Sequence, residues 1–161
     1  MKNNAKLMGY IFEFAWILPS VAIPVMVISA VVITAFAVGI RVPDIAGRIE
    51  PQAINVTAPF DQPGLKEIAP GKYEAAMVAQ VFMFTPMELE VPVGSEVTFM
   101  LTSRDVIHGF KIVGTSVNMM VVPGQISKMS VVFDKPGEYL IVCHEYCGGG
   151  HHAMSGKIIV K

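Results

Sequence analysis

The sequence predicts an all-β sandwich or barrel held on a single N-terminal membrane helix. Two observations predict it. Residues 16–40 form an uncharged run of 25 residues, 19 of them apolar. After Tyr73, short apolar or alternating segments are broken by turn residues at a spacing of roughly ten, the rhythm of a sandwich or barrel. The 161-residue chain is 53% hydrophobic, and that excess sits in the one apolar run. This excludes a disordered chain, a polytopic transporter and, with 2 Cys, a disulfide-stapled miniprotein. A formal net charge of −1 argues against nucleic acid as a partner.

Residues 1–40 are read as an N-terminal segment with one membrane span. At about 1.5 Å per residue the uncharged run makes a helix of about 37 Å, and a bilayer core is about 30 Å thick. A cleavable signal peptide is the rival reading, with Lys2 and Lys6 as its charged start and Ala35-Phe36-Ala37 as its cleavage site. The run is too long for a signal core. Pro19 and Pro24 lie inside it, which membrane helices tolerate. Lys2 and Lys6 precede the span and Arg41 and Arg48 follow it, so positive charge scarcely decides orientation. Glu13 stands at the boundary. It reads either as a carboxylate reaching the headgroups or as a proton acceptor facing a partner subunit.

Residues 41–73 are rich in Pro and Gly, keep no helical period, and read as a linker lying against the domain or the membrane surface. Residues 74–161 read as the folded domain. Its strands are expected near 75–84, 87–92, 95–102, 108–114, 117–121, 126–133, 138–143 and 156–160, paired antiparallel. Pro86, Pro92-Val93-Gly94, Gly114, Pro123-Gly124, Lys135-Pro136-Gly137 and Gly148-Gly149-Gly150 separate them. Val97, Phe99 and Leu101 alternate onto one face.

The chemistry is concentrated in Cys143-His-Glu-Tyr-Cys147-Gly-Gly-Gly-His151-His-Ala-Met154, a C-x3-C-x3-H-x2-M spacing between two expected strands. His108 begins another. Thiolate, imidazole and thioether select copper and other soft metals over magnesium or calcium. A mononuclear blue copper site needs one Cys, two His and a weak Met; here a second Cys is present. Two thiolates can bridge two copper ions, His108 and His151 can serve one each, and Met154 and a backbone carbonyl can complete the set. A disulfide would leave His151 and Met154 without a role. Zinc could take both Cys with His108 and His151 but has no use for Met154. A thiol-disulfide copper chaperone would alternate helices with strands. His144 and His152 have the wrong spacing and are expected at the surface. Met119, Met120 and Met129 are expected to fill the core. Asp105 is expected either to accept a hydrogen bond near His108 or to cap its turn.

These residues resemble the subunit II family of haem-copper cytochrome c oxidases. The likeness covers the anchor helix and most of residues 74–161. It rests on Asp105-Val-Ile-His108-Gly-Phe, Pro123-Gly124, Lys135-Pro-Gly-Glu-Tyr139 and the loop from Cys143 to Met154. The resemblance implies a cupredoxin-like Greek-key domain carrying the binuclear copper centre CuA. Its ligands would be His108, Cys143, Cys147, His151, Met154 and the backbone carbonyl of Glu145. Most chains of the family carry two membrane helices. A single one resembles the B-type, or ba-type, branch, where a small single-helix subunit can supply the other. In A-type enzymes the matching Glu also binds magnesium, so the Glu145 side chain is a candidate for that role.

By resemblance, the chain accepts electrons from soluble cytochrome c and passes them to haem in subunit I, where O2 is reduced and protons are translocated. The N-terminus would be cytoplasmic and the copper domain outside, on a lipid membrane. Residues 41–161 carry 10 Lys+Arg and 12 Asp+Glu. That balance is too small for strong steering, so an apolar docking patch is expected; Phe82 or Phe84 is read either as its electron-entry point or as strand core. Glu13 resembles a proton port of the B-type enzymes. The alternative function is a membrane-anchored mononuclear blue-copper carrier. A nitrous oxide reductase, whose copper domain is similar, needs a His-rich catalytic domain, and this chain has 4 His. Quinol oxidase chains lack these copper ligands.

Overall fold

The computed structural model describes residues 2–161, and divides into two compact units at the Ile40/Arg41 junction. The first unit is the helix α1 (Lys2–Val38), whose stretch Lys6–Val38 is long and apolar enough to cross a membrane. Its prolines are accommodated within the helix, and the Ser20 and Ser29 hydroxyls donate to the Ile17 and Val25 carbonyls at 2.8 Å each. Gly39, at φ 69°, ends it. The Gly39 and Ile40 amides donate to the Phe36 and Ala35 carbonyls, a left-handed cap that a residue without Cβ adopts easily.

The second unit is built from β1 (Asp44–Arg48), a 3-10 turn (Pro51–Val56), β2 (Gly64–Ala69), β3 (Lys72–Gln80), β4 (Met83–Thr85), β5 (Glu88–Val91), β6 (Glu96–Ser103), β7 (His108–Ile112), β8 (Asn118–Val121), β9 (Gln125–Val132), β10 (Gly137–Val142) and β11 (Ser155–Val160). One sheet runs β1-β9-β6-β3-β2, with β4 also on β3. The other runs β5-β11-β10-β7-β8. The fold is the expected all-β, cupredoxin-like sandwich. Its pairing departs from expectation in two places: β3 with β6 and β5 with β11 are parallel.

The inner faces of the sheets share one core. Phe99 lies between Phe110 and Phe133, with ring centroids at 5.7 and 6.3 Å. Each of these rings is essentially buried. Burying a large aromatic contributes about 1.5–3 kcal/mol, so these rings are a main source of the fold's stability.

Residues 41–73, expected as a linker, instead contribute β1, the 3-10 turn, β2 and the start of β3. Ile49, Ile54 and Phe60 are buried against Ala76 and Val78, on the side of β3 away from the main core. The Arg104 guanidinium holds the segment by donating to Asn55 Oδ1 at 2.6 Å. Strand β3 is therefore covered on both faces, which is why residues 75–79 read as an unbroken apolar run.

Candidate metal centre

The ligand loop is pinned where its flanking strands meet. Strands β10 and β11 pair up to Val142↔Ser155, and the Cys143 amide then donates to the Met154 carbonyl at 3.3 Å. Within the loop, the His151 amide donates to Gly148 and the Met154 amide to His151, folding residues 151–153 into a 3-10 turn. Gly148 sits at φ +128°, where a side chain is strained. Gly150 is needed for a different reason: a Cβ there would run into the Phe82 ring. That ring covers the loop from β4's side, and no side chain fits between.

This scaffold gathers the sulfur and nitrogen donors. Cys143 and Cys147 are reduced and buried, with Sγ atoms 3.9 Å apart. His108 Nδ1 stands 4.0 Å from Cys143 Sγ, and His151 Nδ1 stands 3.6 Å from Cys147 Sγ. Met154 Sδ lies 3.6 Å from Cys147 Sγ, and the Cys143 thiol donates to the Glu145 carbonyl at 3.3 Å. The four other groups that the resemblance implies thus fall around the two sulfurs. His151 is half-buried, whereas His108 and Met154 are buried.

His108 is held by Asp105. Its Nε2 pairs with Asp105 Oδ1 at 2.8 Å. An ionised carboxylate only accepts, so Nε2 carries a proton and Nδ1 is the ring nitrogen that faces the sulfurs. Asp105 does both things expected of it, since Oδ1 also accepts from the Val106 amide at 2.7 Å. Its Oδ2 accepts from the Val81 amide at 2.8 Å, a link from the β3–β4 turn that the sequence did not suggest. Partial burial works against the Asp105 charge, but His108 and the two amides outweigh it and hold the carboxyl below its usual range. Burial first, then the neighbouring Cys143, pushes the Cys147 thiol up to about 11.

The remaining candidates separate. Phe84 is wholly buried, edge-on to Phe110 at 5.5 Å, so it cannot present a docking surface; it is a core residue. Phe82 is 40% exposed over the loop. Tyr146, not singled out from the sequence, is 79% exposed, with its ring centroid 5.9 Å from that of His151. Met119 and Met129 are buried as expected, but Met120 is 48% exposed. His144 and His152 lie at the surface, and the Glu145 carboxylate stands 3.5 Å from His144 Nδ1. Glu13 is exposed on α1.

Comparison with known proteins agrees with this geometry. The family model for the periplasmic domain of cytochrome c oxidase subunit II matches residues 69–161. Two cytochrome c oxidase subunit 2 proteins of Thermus thermophilus are each 40% identical over 116 residues. These alignments cover 71% of this chain and 86% and 69% of the relatives. A chain of a haem-copper terminal oxidase dimer solved by cryo-electron microscopy superposes with TM-score 0.73 at 37% identity, over 92% of this chain and 99% of that one. With its single long apolar helix, the chain fits a single-pass membrane protein. It belongs to the cytochrome c oxidase subunit II family.

Proposed function

We propose that this chain is the electron-accepting subunit of its oxidase and that it holds a binuclear copper centre. The observation that carries this reading is the pair of reduced sulfurs 3.9 Å apart with an imidazole nitrogen beside each. The donor set fits two soft metal ions. Cys143 and Cys147 would hold the ions through thiolate bonds of about 2.3 Å. His108 Nδ1 and His151 Nδ1 would each serve one ion, and Met154 Sδ and the Glu145 carbonyl would be the weaker ligands. When bound, the copper pair would supply a one-electron redox couple.

The chain's own residues preset this site. Asp105 fixes the tautomer and plane of His108, the strand pair β10–β11 fixes both ends of the loop, and Phe82 covers it. Half-buried His151, with exposed Tyr146 beside it and Phe82 across the loop, offers the side from which soluble cytochrome c would deliver electrons. Subunit I with its haems would receive them for O2 reduction and proton translocation. In this reading the N-terminus is cytoplasmic, Glu13 is a proton port, and a small single-helix subunit accompanies α1 in the manner of the ba-type branch. The Glu145 carboxylate would be free for magnesium only if it left His144.

Metal analysis of the purified full chain tests the assignment, together with electron paramagnetic resonance. Two coppers per chain and hyperfine coupling to both nuclei are expected. One copper per chain would instead favour a mononuclear blue-copper carrier, and a Cys143–Cys147 disulfide without metal would remove both.

A further inference from the structure

Outside the thiol site, a second pair of soft donors meets on the outer face of strands β7 and β8. Gly109 pairs directly with Met120 across these strands. Side chains of directly paired residues leave a sheet on the same face, with Cβ atoms about 4.5–5.5 Å apart. Gly109 has no side chain, and the His144 ring occupies its place. A Cβ built on Gly109 would lie 2.5 to 2.7 Å from His144 Nδ1, Cγ and Cε1. The Met120 side chain therefore leaves the sheet on the face that carries the His144 imidazole.

The ring is also oriented. Its Nδ1 edge rests on Gly109 and faces Glu145 Oε1 at 3.5 Å. That leaves Nε2 on the opposite edge, with no hydrogen-bond partner among the described residues. A carboxylate near one ring nitrogen, with the other nitrogen unpartnered, is the arrangement of a metal-binding histidine. Met120 is 48% exposed and the His144 side chain 32%, and both line one open hollow of about 460 Å³. An exposed methionine on the outward face of an edge strand contributes little to the core, so packing does not account for it.

We propose that Met120 and His144 form an accessory site for copper(I), outside the buried thiol pair and reached from solvent. Thioether and imidazole are soft and borderline donors that suit a low-coordinate monovalent copper ion and discriminate against magnesium and calcium. His144 directly follows Cys143, so copper held there is one residue from the thiols. Resting on the copper reading of those thiols, the site is where copper(I) first lands. Transfer is ligand exchange without redox change: the bonds to Met120 and His144 break, bonds to sulfur form, and the thiol protons leave to solvent.

The test uses the full chain in detergent under anaerobic, reducing conditions, with copper(I) as the probe. In a Cys143→Ser/Cys147→Ser protein carrying 13C-methyl methionine and ring-13C histidine, added copper(I) is expected to shift the Met120 methyl and the His144 ring. Met120→Leu or His144→Gln should weaken that binding about ten-fold or more. Shifts confined to His108, His151 and Met154, or no shifts, would overturn the site. In the chain with both cysteines, the same two substitutions should slow copper uptake by the thiols about ten-fold while leaving the final copper content of the thiol site unchanged; an unchanged rate would overturn the landing role. Failure of the thiols to take copper would sink the earlier reading alone, because the first measurement does not use them.

Discussion

Asp105 Oδ1 and His108 Nε2 lie 2.8 Å apart, and the carboxylate that makes this bond also receives the Val81 and Val106 amides. One side chain thus joins the β3–β4 turn to the first residue of β7 and turns the far side of the imidazole toward Cys143. Replacing it should act on fold and metal together. Asp105→Ala leaves the Val81 amide and His108 Nε2 without their acceptor, at a cost of about 1–3 kcal/mol in the metal-free protein. Copper affinity should fall about 10–100-fold, as for the loss of any group that orients a ligand histidine. Asp105→Asn keeps an accepting oxygen and should lie between. Thermal melts and chelator competition measure both quantities, and wild-type values in the Ala variant would show the bond to be idle.

Two phenylalanines two residues apart should behave as different kinds of residue. Phe84 is sealed in the core against Phe110, so Phe84→Ala should cost about 3–5 kcal/mol and lower the melting temperature. Phe82 is exposed over the ligand loop, so Phe82→Ala should leave most of the stability and slow oxidation of cytochrome c by the assembled oxidase. With so small a net charge on residues 41–161, that rate should respond weakly to ionic strength. A steep fall with salt, or unchanged kinetics in the Phe82 variant, would remove the apolar docking surface.

Much of this was legible in the sequence, and the exceptions have physical causes. Alternation marked the strands of the copper domain because one face of each is buried. It did not disclose that β3 and β6 run parallel, since register between distant strands leaves no local period. Phe82 and Phe84 looked equivalent because residues two apart share a face of an unbroken strand. The turn at residues 81–82 breaks that parity, leaving Phe82 outside and Phe84 inside. Met119 and Met120 could not both fill the core of one strand, and Met120 is the one that faces out. Strands β1 and β2 were hidden by their glycines and charges, DIAGR and GLKEIA, although Ile49, Ile54 and Phe60 were the apolar residues that seat the segment. The loop's soft donors were legible because Cys143, Cys147, His151 and Met154 stand in one spaced motif between two expected strands, whereas the Val81 amide on Asp105 is a backbone contact that no residue type announces.

Two glycines separate rigid from yielding neighbours. A Cβ on Gly156 would meet the Met87 carbonyl oxygen at 2.7 Å, and that oxygen already accepts from the Lys157 amide at 2.8 Å beside the parallel β5–β11 pair. Backbone cannot swing away, so Gly156→Ala should destabilise the domain by about 1–3 kcal/mol. The obstacle at Gly109 is the His144 ring, a surface side chain that can turn outward. Gly109→Ala should therefore destabilise the domain less than Gly156→Ala does. Denaturant unfolding of the two variants compares them, and an equal loss would mean that His144 is as fixed as backbone.

Loading of the thiol site should depend on pH through Cys147. Burial, and then the Cys143 thiol beside it, raise this group from 9.0 to about 11 in the metal-free fold. Near neutral pH the thiol is therefore protonated, and copper must displace the proton to bind the thiolate. Apparent copper(I) affinity should rise about ten-fold per pH unit for each proton displaced, and the contribution from Cys147 should level off as pH approaches about 11. Stability of the metal-free protein has the opposite sign. The fold favours the protonated thiol more than the unfolded chain does, so this contribution is complete below pH 9.0 and is lost as pH rises through about 11. Cys147→Ser should remove that loss, and bound copper should remove it as well, because the sulfur is then held as thiolate. Anaerobic chelator competition across pH, with denaturant melts of the metal-free and loaded chains, measures both slopes. A copper affinity independent of pH would mean that Cys147 binds no metal.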